Sequence, residues 1–208
     1  MDVLVNLNGY DLTYFEFFSF LFTLVAIYMN TKQLIWAWPI GMVGIVLAGI
    51  LYWHSHLYAN FLLQIFFFSS SVYGWYQWLF GGDNQSQLRV SRLSKRGIIQ
   101  TGLVFVVIWP LSGLFFSHVS DIWAGAPPSP APFTDAFVSV LSVIAQIFLT
   151  RKILESWHIW IAVNIVANGL FFTQGLYLMA LLYGILIFIA ILGLKEWHAS
   201  WKKHPQMG

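Results

Sequence analysis

Seven runs of apolar residues, separated by short polar stretches, take up most of the chain. They lie at 14–30, 35–53, 57–80, 97–117, 134–150, 157–174 and 176–194. Each is near the roughly 20 residues that a helix needs to cross the hydrocarbon core of a bilayer. The pattern predicts an all-α integral membrane protein, one membrane domain over 1–208 with seven transmembrane helices. Trp53-His54-Ser55-His56 and Thr173-Gln174-Gly175 read as tight turns between runs. The segment 118–133, with Pro127, Pro128, Pro130 and Pro132, reads as a stiff, non-helical connection.

The pattern also repeats. LYANFLLQ (57–64) and LYLMALLY (176–183) share Leu-Tyr, three residues, then Leu-Leu. Gly74 and Trp78 follow the first as Gly193 and Trp197 follow the second, 119 residues on. The basic turns Asn30-Thr31-Lys32 and Thr150-Arg151-Lys152 correspond as well. Two three-helix repeats, 14–80 and 134–194, are expected to share one orientation, with helix 97–117 carrying the chain back between them. That 3+1+3 plan is a parallel repeat of the SWEET-like kind.

Charge orients the helices. With seven spans, all 10 Lys and Arg residues fall on one side. The excess of basic residues marks the cytoplasmic side. The N-terminus is therefore expected outside and the C-terminus in the cytoplasm. Glu16 in the first apolar run, with no basic stretch before it, argues against a cleaved signal peptide. Composition agrees: charged residues make up 9%, against about 25% in soluble domains. The chain has no cysteine, which removes disulfides, thiolate metal sites and cysteine catalysis.

Polar residues inside spans are costly and face the protein interior. In the third helix Asn60, Gln64, Ser71 and Trp75 share a face. In the sixth, Trp157, Trp160, Asn164, Asn168 and Phe171 form a stripe, and Tyr183 lies in the seventh. Gln64, Asn168 and Tyr183 are each seven residues from the expected outer end, ~10 Å deep. Asn164 lies one turn deeper. Amides and a phenol at one level can bond hydroxyls and carboxamides, and indoles stack on flat or cationic rings. Such a set suits a small aromatic molecule bearing hydroxyls. Glu16 reads as an interfacial carboxylate. Trp36, Trp78, Trp157 and Trp197 read as interface anchors. Gly41, Gly44 and Gly49 are expected to allow close helix packing, and Pro39 to kink its helix. The basic run Arg89–Arg96 is expected against anionic lipid. His54 and His56 flank one serine, but no metal site, cofactor or nucleic-acid partner is expected. No ATP-binding loop and no midplane carboxylate pair appear.

LYANFLLQIFFFSSSVYGWYQW (57–78) resembles the third helix of PnuC-type vitamin transporters. ESWHIWIAVNIVANGLFFTQGLYLMALLY (155–183) resembles that family's sixth and seventh helices, and WAWPIG (36–41) its second. The resemblance implies a SWEET-like homotrimer in the bacterial inner membrane. It also implies facilitated diffusion of an unphosphorylated vitamin that a cytoplasmic kinase then traps. The substrate implied is nicotinamide riboside, a precursor in NAD biosynthesis, with riboflavin or thiamine as the alternatives. It carries substrate-binding roles to Gln64, Tyr73, Trp75, Tyr76, Trp160, Asn164 and Tyr183. Two positions depart from the nicotinamide riboside pattern: Gly44 replaces an expected Asn, and Asn168 is an added amide. Of the other classes, a membrane enzyme would need an acid-base pair or metal cluster. A retinal-type sensor would need a lysine within a span.

Overall fold

The computed structural model of the chain describes residues 3–7, 10–54, 58–122, 131–173, 175 and 177–203. Seven helices are present among them: α1 Tyr14–Thr31, α2 Ala37–His54, α3 Tyr58–Phe80, α4 Lys95–Ile122, α5 Pro132–Thr150, α6 Glu155–Thr173 and α7 Tyr177–Lys203. Before them lies an antiparallel hairpin of β1 Val3–Leu7 and β2 Tyr10–Thr13, which the apolar pattern did not signal. By length and composition α1, α2, α4, α5 and α7 can cross a membrane. α3 and α6 fall short of that apolar content because they carry the polar stripes.

The chain divides into two compact units, Met1–Tyr76 and Gln77–Gly208, and the boundary falls within α3. In the first unit α1 packs along α2. The contact is close because α2 carries glycine there. A Cβ on Gly44 would lie 2.8 Å from Thr23 Oγ1, and one on Gly41 would lie 3.2 Å from the Ala26 Cβ. Ser19 Oγ donates to Gly44 O at 2.9 Å. Pro39 does not kink α2. It sits in the first turn, where a missing N–H costs no helical hydrogen bond. Glu16 is not a free interfacial carboxylate. It accepts from Thr13 N at 3.1 Å while Thr13 Oγ1 accepts from Glu16 N at 3.2 Å, a capping box that starts α1.

One turn recurs bond for bond at the 119-residue spacing. Thr31 Oγ1 donates to Tyr28 O and Thr150 Oγ1 to Ile147 O, both at 2.7 Å. Leu34 N donates to Met29 O, and Ile153 N to Phe148 O. Gln33 and Lys152 hold left-handed φ angles of 57° and 49°. Each turn delivers a buried tryptophan, Trp38 or Trp157, onto a helix glycine. A Cβ on Gly74 would meet the Trp38 ring at 2.4 Å, and one on Gly193 the Trp157 ring at 2.6 Å.

In the second unit α4 packs on α5, α5 on α6 and α6 on α7. Trp78, Trp157 and Trp197 are 0–1% exposed. They are core residues, not interface anchors. Gly193 on the facing helix lets Trp157 bury its whole ring, while Trp36 stays exposed. Trp197 meets Trp157 edge-on at 5.4 Å and Trp78 at 5.8 Å, and Trp78 Nε1 donates to Leu149 O at 3.1 Å. Lys152 covers this cluster. Its Nζ lies 4.4 Å from the Trp78 ring centroid and donates to Leu88 O at 2.9 Å. The segment before α4 is thereby fastened to the α5–α6 turn. Ser91 N donates to Lys152 O, Leu154 N to Ser91 O, and Arg92 pairs with Glu155 at 3.0 Å. Arg92 is thus removed from the lipid-facing run, whereas Arg89, Lys95 and Arg96 remain exposed. α4 continues to Ile122 and α5 starts at Pro132, so both ends of the expected non-helical segment are helical. Its centre at 123–130, with Pro127, Pro128 and Pro130, lies outside the described residues, as do Ser55, His56, Leu57 and Gln174. α7 runs nine residues past its apolar stretch to Lys203.

Two predictions follow from this packing. Gly74→Ala and Gly193→Ala should each lower stability in detergent by ~1–3 kcal/mol, because a buried indole cannot move aside. Gly102→Ala, with nothing within 4 Å of its Cβ, should be neutral or slightly stabilising in the same thermal melts. Burial lowers the Lys152 pKa from 10.5 to about 8. The unfolded chain then binds more protons between those values, so stability should rise as pH climbs from 8 to 10.5, by up to ~1.4 kcal/mol per pH unit. Melts of Lys152→Met over that range should lack this component.

Candidate functional site

The chemistry-bearing side chains fall into one group per unit. In the first unit Gln64 lies half-buried on α3. It lines a cavity of about 450 Å³ with Gly49, Trp53, Phe61 and Phe68. Trp53 and Phe61 meet edge-to-face at 5.1 Å. The Gln64 amide makes no hydrogen bond among the described residues, so both its donor and its acceptor stay available within an apolar, aromatic wall. Ser71 is buried and Trp75 half-buried further along α3. Tyr73 and Tyr76 are exposed, and helical rotation turns them away from Ser71. The structure therefore does not bring these two phenols to Gln64. The side chain of Asn60 lies outside the described residues.

In the second unit the group is built on α6 and α7. Asn164 stands midway along Glu155–Thr173, about 14 Å from either end. It is 6% exposed and makes no hydrogen bond among the described residues. Its amide is not sealed off: neither polar atom is among the fully buried, unsatisfied ones, so the group is open to a partner that is not part of the described residues. Trp157, Asn164 and Asn168 share one face of α6, with the half-buried Trp160 one turn before Asn164. Asn168 differs from Asn164, because its Nδ2 donates to Ala180 O of α7. Phe171 and Tyr183 close the group towards the C-terminal end of α6, with ring centroids 5.2 Å apart.

Three further polar residues are buried, Ser142 and Gln146 within α5 and Ser156 at the start of α6, and Asn30 is buried at the end of α1. A glutamine inside an apolar run was the available signal for Gln146. Asn30 belongs to the basic turn Asn30-Thr31-Lys32, where its burial has no local signal. No group of three or more His, Asp or Glu side chains is gathered among the described residues, and His54 is exposed. Amides, indoles and a phenol can recognise a ring with hydroxyl or carboxamide substituents. They supply no strong acid, base or metal ligand near neutral pH.

Comparison with known proteins agrees with this chemistry. Residues 13–199 match the nicotinamide mononucleotide transporter family. The nicotinamide riboside transporter PnuC of Escherichia coli (strain K12) is 32% identical over 93% of this chain and 88% of its own length. The riboflavin/roseoflavin transporter RibM of Streptomyces davaonensis is 27% identical over 84% of this chain and 79% of its own. The crystal structure of the vitamin B3 transporter PnuC superposes with a TM-score of 0.67 at 19% identity, covering 89% of this chain and 81% of that one. With seven long helices, five of them apolar enough to span a bilayer, this multi-pass membrane protein belongs to the nicotinamide mononucleotide transporter family, that of the PnuC-type vitamin transporters.

Proposed function

We propose that the chain takes up nicotinamide riboside across the bacterial inner membrane by facilitated diffusion. The observation that carries this reading is Asn164 at the centre of α6, a buried residue whose amide makes no hydrogen bond among the described residues. No partner is present among the described residues, and a ribose hydroxyl or a carboxamide would supply one. Gln64 is the second amide of the reading, and Trp160, Tyr183 and Trp75 are the surfaces on which a cationic ring stacks. Tyr73 and Tyr76 are assigned to the protein exterior. Asn168 is already bonded to α7 through one N–H of its amide.

Alternating access completes the proposal. Two three-helix repeats, 14–80 and 134–194, would rock about the substrate in a SWEET-like 3+1+3 fold, with 97–117 as the linking helix. The one-sided distribution of Lys and Arg supports an outer N-terminus and a cytoplasmic C-terminus. The turn and Trp–Gly contact that recur at 119 residues support the repeat. Nicotinamide riboside is favoured by the relative of 32% identity, and the second reading, riboflavin, by the one of 27%. Thiamine needs the same fold and mechanism. A homotrimer, and a cytoplasmic kinase that phosphorylates the imported vitamin, belong to the same reading.

Calorimetry on the purified protein tests it. Nicotinamide riboside should bind, and Asn164→Leu should weaken it by about 10- to 100-fold while leaving expression and melting behaviour intact. Wild-type affinity in Asn164→Leu would remove that residue from the site. Binding of riboflavin or thiamine in place of nicotinamide riboside would change the substrate and keep the mechanism.

A further inference from the structure

Asn168 and Asn164 lie one turn apart on the same helix face, yet only Asn168 has a resident partner. Ala180 O can only accept, so the atom of Asn168 that faces it is the Nδ2 donor. α7 comes close at this point because it carries small residues. Ala180 is buried, and a Cβ on Gly184 would stand 3.7 Å from Asn168 Nδ2. One turn towards the end of α6, Phe171 packs on Tyr183. α6 thus grips α7 at two adjacent points, an amide on a backbone carbonyl and a ring on a ring. Tyr183 lies between Ala180 and Gly184, so its height and rotation are set by that grip.

The residues 119 positions earlier lack the device. Gly49 stands in place of Asn168, Phe61 in place of Ala180 and Gln64 in place of Tyr183. Without a side chain Gly49 cannot bond the facing helix. Gly49, Phe61 and Gln64 instead line the cavity of the first unit. The amide clasp is therefore particular to α6 and α7, which pack along each other.

We propose that Asn168 is a positioning residue for transport: it clasps α7 to α6 and fixes Tyr183 in the orientation that receives the substrate ring. The role of Tyr183 in this statement rests on the transport reading above; the clasp itself does not. Asn168 would act through Tyr183 and would not touch the substrate.

Two measurements test this. The chain contains no cysteine, so Phe172→Cys and Leu181→Cys, both at exposed positions, accept spin labels without background. With Asn168 present, the distance between the labels should be a single narrow distribution. Asn168→Leu should broaden it, and Asn168→His, whose Nδ1–H replaces the lost donor, should restore it. If Asn168→Leu does not fold, Asn168→Thr takes its place, since a threonine hydroxyl is satisfied by the carbonyl one turn back. An unchanged distribution without the amide overturns the clasp. The second measurement is a double-mutant cycle on nicotinamide riboside binding. Asn168→Leu should weaken binding about tenfold with Tyr183 present and by less than about twofold in a Tyr183→Leu background. Equal factors in the two backgrounds would mean that Asn168 acts on the substrate independently of Tyr183, and would overturn the positioning role. If the wild-type protein binds no nicotinamide riboside, the transport reading falls, and the spin-label distances still decide the clasp.

Discussion

A buried indole laid on a helix glycine is the contact on which the rest of this architecture depends. In a bilayer, apolar helices gain little by leaving lipid for one another, so association relies on close packing at small residues. Gly74 and Gly193 give Trp38 and Trp157 flat helix surfaces with no Cβ in the way. The turn before each tryptophan is built by the same threonine bond and the same left-handed residue, which fixes the direction in which the next helix leaves. Trp157 then sets the rotation of α6. Asn164 and Asn168, two and three turns on, share its face and are drawn into the protein interior with it.

That placement explains the energetic oddity of α6. A helix turned so that its polar stripe faces inward must satisfy those groups or carry their desolvation cost. Asn168 places one N–H on Ala180 O, and Asn164 is left without a resident partner among the described residues. The same stripes keep α3 and α6 below the apolar content of the other five helices. The least apolar helices therefore carry both amides assigned to the substrate, Gln64 and Asn164. A site that holds a polar group in reserve for a ligand loses some stability when empty. It gains discrimination, because only a molecule that completes the hydrogen bonds recovers the loss.

Much of the fold was legible because a membrane span is a one-dimensional signal. The seven apolar runs foretold the seven helices, with ends that mostly differ by one to three residues. The largest excess, α7 continuing to Lys203, arises because its last turns mix charged residues with the buried Trp197, and so no longer look like a span. Misreadings occurred where a residue's role depends on another helix. Trp78, Trp157 and Trp197 looked like anchors because tryptophan favours the interface, and nothing local reveals that the three indoles pack on one another or that Gly193 receives one of them. The echo of Gly74 and Gly193 was visible, but the rings they receive were not. Arg92 looked like part of a lipid-facing run until Glu155, far along the chain, was found beside it. Glu16 is the opposite case: its capping partner Thr13 is three residues away and could have been read from the sequence. In the candidate site, Gln64, Asn164, Asn168 and Tyr183 were legible as polar groups in spans. That Asn168 is committed to α7, and that Tyr73 and Tyr76 face outward, needed three dimensions.

The central claim is that this protein moves a free vitamin across a membrane without an energy source of its own. Counterflow in sealed vesicles tests it most directly. The purified protein is reconstituted into vesicles loaded with unlabelled nicotinamide riboside and diluted into trace labelled compound, with no ion gradient and no ATP. Transient accumulation of label, abolished when the internal load is omitted, is the predicted result. Label that never rises above protein-free vesicles, from a preparation that binds the compound, would show a receptor and not a carrier.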